Sequence, residues 1–383
     1  MTPAARVQAA IGILDRIAAG EAAEKALLGW ARGARYAGSK DRAAVRDHVF
    51  DAVRRWRSTA VLGGAETGRA RMLGLLRQQG IDPDTLFSGA GHGPAPLTQA
   101  ERAAGRDPAG AEAADLPDWL WQKVVADWAD KAETVADAFR SRAETFLRVN
   151  TLRGDLDEAL RALAEEGIGV EPAPRARFAL RVTGNTRALA RSEAYASGLV
   201  ELQDASSQAV VEALPLHPGM TVLDQCAGGG GKALAMAARL NGGPVDAHDA
   251  DPARMADLPG RAARAGADIR MVADPRGPYD LVLTDVPCSG SGAWRRAPEG
   301  KWRLTPDRFT ELGIIQASIL DAASGLVGRG GALAYATCSI FAAENRDQID
   351  RFQARNPGWR LETERLFPPD QDGDGFYLAV LRR

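Results

Sequence analysis

The stretch VLDQCAGGGGKALAMAA (222–238) carries the reading of the fold. An apolar strand runs into Asp224, four glycines follow at 228–231, and a helix-forming segment begins at once. Glycine permits positive φ and lets backbone amides approach a ligand with no Cβ in the way. Asp249 stands 19 residues after Gly230, at the end of the next candidate strand, PVDAH (244–248). That spacing places a carboxylate where it can accept hydrogen bonds from a ribose diol. Two other nucleotide loops fail on the letters. A P-loop needs glycine five residues before the Gly-Lys pair and Ser or Thr after it, and those positions hold Cys226 and Ala233. The dinucleotide fingerprint needs spaced glycines without an intervening Asp-x-Cys and Lys. A flexible glycine linker would explain neither the strand before nor the acid after.

Working outward, strand and helix alternate to the C-terminus. DIRMVA (268–273), YDLVLTDV (279–286), GALAYATCS (331–339) and GFYLAVLRR (375–383) read as strands, and FTELGIIQASILDAASGLV (309–327) as a helix. Short apolar strands separated by helices predict a doubly wound α/β domain, its parallel sheet covered on both faces. Such sheets bind ligands beyond the carboxyl ends of their strands. Upstream, FLRVNT (146–151), LDEALRALAEEG (156–167) and IGVEPAP (168–174) read strand, helix, strand, which is a small α/β module. Before that the pattern is helical. Val7, Ile11, Ile13, Leu14 and Ile17 recur at three- and four-residue steps, as do Ala43, Val49, Phe50, Val53 and Trp56. The segment 88–117, dense in Gly, Ala and Pro, reads as a linker. The expected domains are 1–115, 116–205 and 206–383.

A chain of 383 residues suits two or three domains, and 45% apolar with 26% charged residues excludes a disordered or collagen-like protein. No apolar run reaches the roughly 18 residues of a membrane span. The first 20 residues lack the pattern of an export signal, and three cysteines make no disulfide framework, so a cytoplasmic protein is expected. The net charge of −2 demands no polyanionic partner, although residues 1–60 carry 11 Lys or Arg against 6 Asp or Glu. Arginine outnumbers lysine 42 to 6; that suits phosphate, and a G+C-rich genome would produce it equally well.

Each cysteine sits in a pattern. Separations of 62 and 50 residues offer no paired metal-ligand spacing, so no metal is expected. Cys288 in TDVPCSGSG (284–292) and Cys338 in YATCS (335–339) each follow an apolar strand, which would bring both to one edge of the sheet with Asp285. Two thiols at one edge fit a particular chemistry. Carbon 5 of cytosine is too poor a nucleophile to take a methyl group, but a thiolate adding to carbon 6 makes the ring enamine-like. A second group must then help remove the carbon-5 proton so that the first thiol can leave.

Several ordered segments carry a family resemblance: LRVNTL (147–152), ELQDASSQ (201–208), DQCAGGGGK (224–232), DVPCSGSG (285–292), RRAPEGKWR (295–303), YATCSI (335–340) followed by Glu344-Asn345, and DGFYLAVL (374–381). From about Phe146 onward the chain resembles the NOL1/NOP2/Sun family of RNA cytosine-5 methyltransferases. The resemblance implies a Rossmann-like S-adenosylmethionine methyltransferase domain behind a small RRM-like module. The helical N-terminus is similar to a NusB-type RNA-binding domain, and the combination implies small-subunit ribosomal RNA as substrate. It implies Cys338 as nucleophile and Cys288 as the release cysteine, with Asp285 and Lys232 in the active site. Cys226, Ala227, Gly228, Gly229, Gly230, Gly231 and Lys232 would cradle the cofactor. Asp249 would hold its ribose, with Arg254 also in contact, Asp274 its adenine, and Asp285 the junction with the base. The usual Ala-Pro pair before the last two glycines is Gly228-Gly229 here, and the usual Thr after the lysine is Ala233.

AWRRAPEGKWR (293–303), just downstream of Cys288, offers Trp294 and Trp302 for stacking and Arg295, Arg296, Lys301 and Arg303 for phosphate. Inward packing of its tryptophans is the competing reading. The four histidines share no motif, and His248 reads as a packed strand-end residue. The expectation is a monomeric RNA 5-methylcytosine methyltransferase without metal or membrane. The alternatives are a non-catalytic ribosome-assembly protein, an enzyme acting on tRNA, and a methyltransferase for a small molecule or protein.

Overall fold

A computed structural model describes residues 1–383, which divide into two compact units. One comprises residues 1–142 together with 294–303, the other 143–293 and 304–383. No helix is long and apolar enough to cross a membrane.

The first unit is all helical. Its main helices are Pro3–Ala18, Ala23–Gly33, Ser39–Arg54, Trp56–Gly63, Gly68–Gln78, Asp118–Trp128 and Ala132–Arg140. Val7, Ile11 and Leu14 meet Val45, Val49 and Val53 and the buried Leu73 and Leu76 in one core, as the three- and four-residue spacing predicts. The arginines on the far side of Ser39–Arg54 are used within the unit. Arg46 pairs with Glu24 at 2.6 Å, Arg54 is buried, and neighbouring Arg57 reaches Asp118 at 2.8 Å. The excess of positive charge is therefore partly spent on internal pairs.

One expectation changes here. Residues 88–117 are no loose linker: Leu97, Ala114, Asp115 and Leu116 are buried, and Gln99–Ala103 is a short helix. Arg77 donates to the carbonyls of Leu62, Glu101 and Ala104, stitching the strap to the bundle. The helices at 118–128 and 132–140 pack with the bundle. Arg57 bonds Leu116 and Asp118, and Arg140 bonds Ala113.

The second unit holds two sheets. In the smaller, β1 (Phe146–Val149), β2 (Val170–Pro172), β3 (Ala179–Val182) and β4 (Val200–Leu202) run antiparallel in the order β2-β3-β1-β4. Polar residues of its motifs join it to the larger domain. Asn150 donates to the carbonyl of Ala265, and Glu201 pairs with Arg261 and Arg264. The small module and the larger sheet thus pack within one compact unit.

The larger sheet contains β5 (Val222–Asp224), β6 (Val245–Ala247), β7 (Ile269–Met271), β8 (Tyr279–Asp285), β9 (Val327–Thr337), β10 (Arg360–Phe367) and β11 (Phe376–Arg382). Its order is β10-β11-β9-β8-β5-β6-β7, with β5 to β9 parallel and β10 and β11 antiparallel. Side chains alternate across it. Leu281, Leu283, Ala334 and Leu378 face one core with Ala233 and Met236, while Val282, Leu333, Tyr335 and Tyr377 face the other with Leu320, Ile349 and Phe352. From β5 the chain winds outward through β6 and β7, then returns to β8 on the other side. In sheets with such a reversal, ligands bind beyond the carboxyl ends of the strands that flank it, here β5 and β8.

Candidate functional site

β8 and β9 are parallel neighbours with Asp285 beside Ala336, so the chain leaves both at the same edge. Cys288 is three residues past β8 and Cys338 one past β9, and their Sγ atoms are 3.4 Å apart. The pKa of the Cys288 thiol is pushed well up, first by its hydrogen bond to Cys338 and then by burial. Cys288 therefore favours its protonated form beside the Cys338 sulfur.

Lys232, in the first turn of helix Gly231–Arg239, donates to Asp285 Oδ2 at 2.7 Å. Burial opposes its charge, but Asp285 outweighs that cost, Cys338 adds to it, and the pKa of the ammonium is raised. Its Nζ also lies 4.9 Å from the centre of the Phe376 ring. A cation is thus fixed close to the thiol pair.

The glycine loop is shaped by backbone demands. Gly228 and Gly230 have φ of +50° and +80°, and a Cβ on Gly230 would collide with Leu258. Gly228 N donates to Asp249 Oδ2 at 2.9 Å, which ties the loop to the end of β6. Asp249 is buried, accepts from Asp251 N at 3.0 Å and pairs with Arg254 at 3.1 Å. Where the family carries proline, the Gly229 carbonyl accepts from Arg261, which restrains the added glycine. Ala227 is buried and bonds His248 O, while the His248 ring lies 3.0 Å from Val272 O as a packed strand-end residue. Burial, then Asp224, raises the pKa of the Cys226 thiol far above the ordinary range, leaving it inert.

Asp224 is the functional candidate that pattern reading passed over. It is 1% exposed, and neither carboxylate oxygen has a hydrogen-bond partner. Burial, reinforced by Asp285, pushes its pKa up to about 7. An orphaned buried acceptor beside a cradle of positive-φ glycines fits a ligand that brings its own donors.

This carboxyl also makes stability depend on pH. Its folded pKa exceeds the unfolded value, so the folded chain holds the extra proton between about pH 4 and 7. Stability of the ligand-free protein should fall as pH rises through that window. Asp224→Asn should flatten the dependence and add on the order of 1–3 kcal/mol at pH 7.5. Urea midpoints at pH 5 and 7.5 check this; a variant that keeps the wild-type slope would contradict it.

Asp274 lies in the loop after β7 with its side chain 77% exposed and paired with Arg276 at 3.2 Å. The structure leaves it at the rim. The expectation for 294–303 needs correction. Trp294, Arg295 and Lys301 are buried in the helical unit and present no stacking face or charge to solvent. Lys301 Nζ and Trp302 Nε1 donate at 2.8 Å to the carbonyls of Arg54 and Val53. Those carbonyls end helix Ser39–Arg54, where donors and positive charge are favoured. Arg54 Nε in turn donates to Arg295 O, and Trp294 packs edge-on against Phe139. Burial lowers the pKa of Lys301 to about 7. Arg296 and Arg303 are exposed, Arg303 paired with Glu299.

Sheet order, cofactor-type loop and paired thiols together define a methyltransferase of the Rossmann-like class. Residues 211–382 match the family described as 16S rRNA methyltransferase RsmB/F, and 116–188 match the ferredoxin-like domain of RsmF/B-like methyltransferases. The ribosomal RNA small subunit methyltransferase B of Xanthomonas campestris is 32% identical over 297 residues, covering 72% of this chain and 68% of that one. The chain spans 66% to 68% of the length of such curated relatives. The protein described as PH0851 superposes with a TM-score of 0.75 at 22% identity, covering 100% of this chain and 99% of its own. NSun6 from Pyrococcus horikoshii, solved with SFG, gives 0.62 at 18% identity, covering 70% and 98%. The chain belongs to the RsmB/F family of 16S rRNA methyltransferases.

Proposed function

We propose that this protein transfers the methyl group of S-adenosylmethionine to carbon 5 of a cytosine in small-subunit ribosomal RNA, through an adduct on Cys338. The observation that carries the reading is the 3.4 Å pair of sulfurs at the edge where Lys232 and Asp285 meet. S-adenosylmethionine supplies an electrophilic methyl group when bound. Gly228 to Gly231, Asp249 and Asp224 would hold it, and Asp224→Asn should weaken its binding while stabilising the empty protein. Lys232 steadies negative charge near Cys338, and Cys288 keeps a proton beside it. The target base has to leave its stack to reach two sulfurs at a strand edge, which an unpaired cytosine does at least cost. A non-catalytic assembly factor would need neither thiol.

The test is transfer of labelled methyl groups to 16S rRNA, followed by bisulfite mapping of ribosomal RNA from a strain lacking the protein. One cytosine should lose its protection in that strain. An unchanged map with label appearing in tRNA would move the substrate, and no transfer to any RNA would overturn the reading.

A further inference from the structure

We infer that Glu344 is a positioning residue for the thiol pair: its one carboxylate clamps the residues that directly follow both cysteines. Ser289 comes after Cys288 and Ser339 after Cys338. Ser289 N donates to Glu344 Oε1 at 2.8 Å, and Ser289 Oγ and Ser339 Oγ both donate to Oε2 at 2.5 Å. Gln316, fully buried on helix Pro306–Ser324, completes the set by donating to Oε1 at 2.9 Å and to the Pro287 carbonyl at 3.0 Å. Four donors saturate the acceptor capacity of a carboxylate. Glu344 is 1% exposed and so has neither the access nor the free lone pairs to touch substrate.

What it does is mechanical. The loops after β8 and β9 have no ladder to fix them beyond Val286, and a sulfur displaced by 1 Å loses the alignment with a reacting ring carbon. Around the carboxylate, Ser291 Oγ lies 3.1 Å from Ser339 Oγ and accepts from Ile340 N. Gly292 N donates to the carbonyl of Cys338 itself. Asn345 bonds Thr337 Oγ1 and the Ser339 carbonyl from the other side. Charge-assisted bonds of this kind are about twice as strong as neutral ones, and the low surrounding dielectric strengthens them further. The two loops therefore move as one body, with the sulfur separation set by Glu344.

This deepens the proposed function and rests on it, so the test includes a readout independent of RNA. Glu344→Gln keeps shape but replaces one carboxylate oxygen with an NH2 that cannot accept, and it removes the charge that strengthens all four bonds. In the full-length protein, kcat should fall about 10- to 100-fold while KM for RNA changes less than about threefold. Diamide accepts the two thiol hydrogens and closes Cys288 and Cys338 into a disulfide. That closure, followed by mass spectrometry, should slow about tenfold in the variant. Ser289→Ala and Ser339→Ala, each removing one arm, should move the same two readouts, with a double variant no worse than the stronger single one. They also serve if Glu344→Gln fails to fold. Unchanged kcat and closure in either series would overturn the clamp. Slower closure in a protein whose wild type methylates no RNA would retain the clamp and overturn the function.

Discussion

Cys338→Ala should reduce methyl transfer to RNA by at least about a thousandfold while leaving S-adenosylmethionine bound. Without a thiolate at carbon 6, carbon 5 of cytosine has no electron pair to offer, and neither orientation nor electrostatics replaces a missing bond. In the proposed mechanism Cys338 is the attacking sulfur. Cys288 holds its proton against it at 3.4 Å, and the Lys232 ammonium lies close enough to feel its charge. The cofactor loop lies on another strand, so binding measured by calorimetry should change little. Turnover within tenfold of wild type would remove Cys338 from the mechanism.

The partner substitution should behave in the opposite sense. Cys288→Ala should accumulate a protein–RNA adduct that survives denaturing electrophoresis, with product release slowed by two orders of magnitude or more. Addition by Cys338 ends the hydrogen bond that chiefly raises the Cys288 pKa, so its thiol can ionise more readily once the ring is bound. In the proposed mechanism it would then take the carbon-5 proton, the step that frees the first sulfur. Alanine leaves the methylated ring attached. A Cys288→Ala protein that turns over freely and shows no shifted band would assign proton removal elsewhere.

Much of the catalytic unit was legible because its sheet obeys simple periodicities. Apolar runs ending at Asp224, Asp285 and Thr337 read as strands, and adjacent parallel strands deliver whatever follows them to one edge. That is why two cysteines 50 residues apart were expected to meet. Strand β10 was missed because Arg-Leu-Glu-Thr-Glu-Arg at the sheet border is mostly exposed and charged. The strap at 88–117 looked loose because composition registers alanine and glycine but not the Arg77 hydrogen bonds that hold it. The ten residues at 294–303 were misread for a longer-range reason. Whether a tryptophan or lysine points outward depends on helix Ser39–Arg54, about 250 positions away, and no local pattern records that. Glu344 was visible as part of a motif, yet its purpose emerges only when both serines arrive at the same carboxylate.

That buried excursion has a consequence for modularity. The polypeptide passes from the bundle to the sheet unit after 142, back after 293 and across again after 303, so three covalent tethers join what a linear map draws as consecutive cassettes. A nick at the first junction would sever one tether and release neither half. A fragment beginning at 143 would carry an indole and an ammonium stripped of their enclosure, a liability for solubility rather than a minimal enzyme. Because the bundle is completed by a segment from the middle of the other unit's sequence, neither can be exchanged as one continuous stretch of chain.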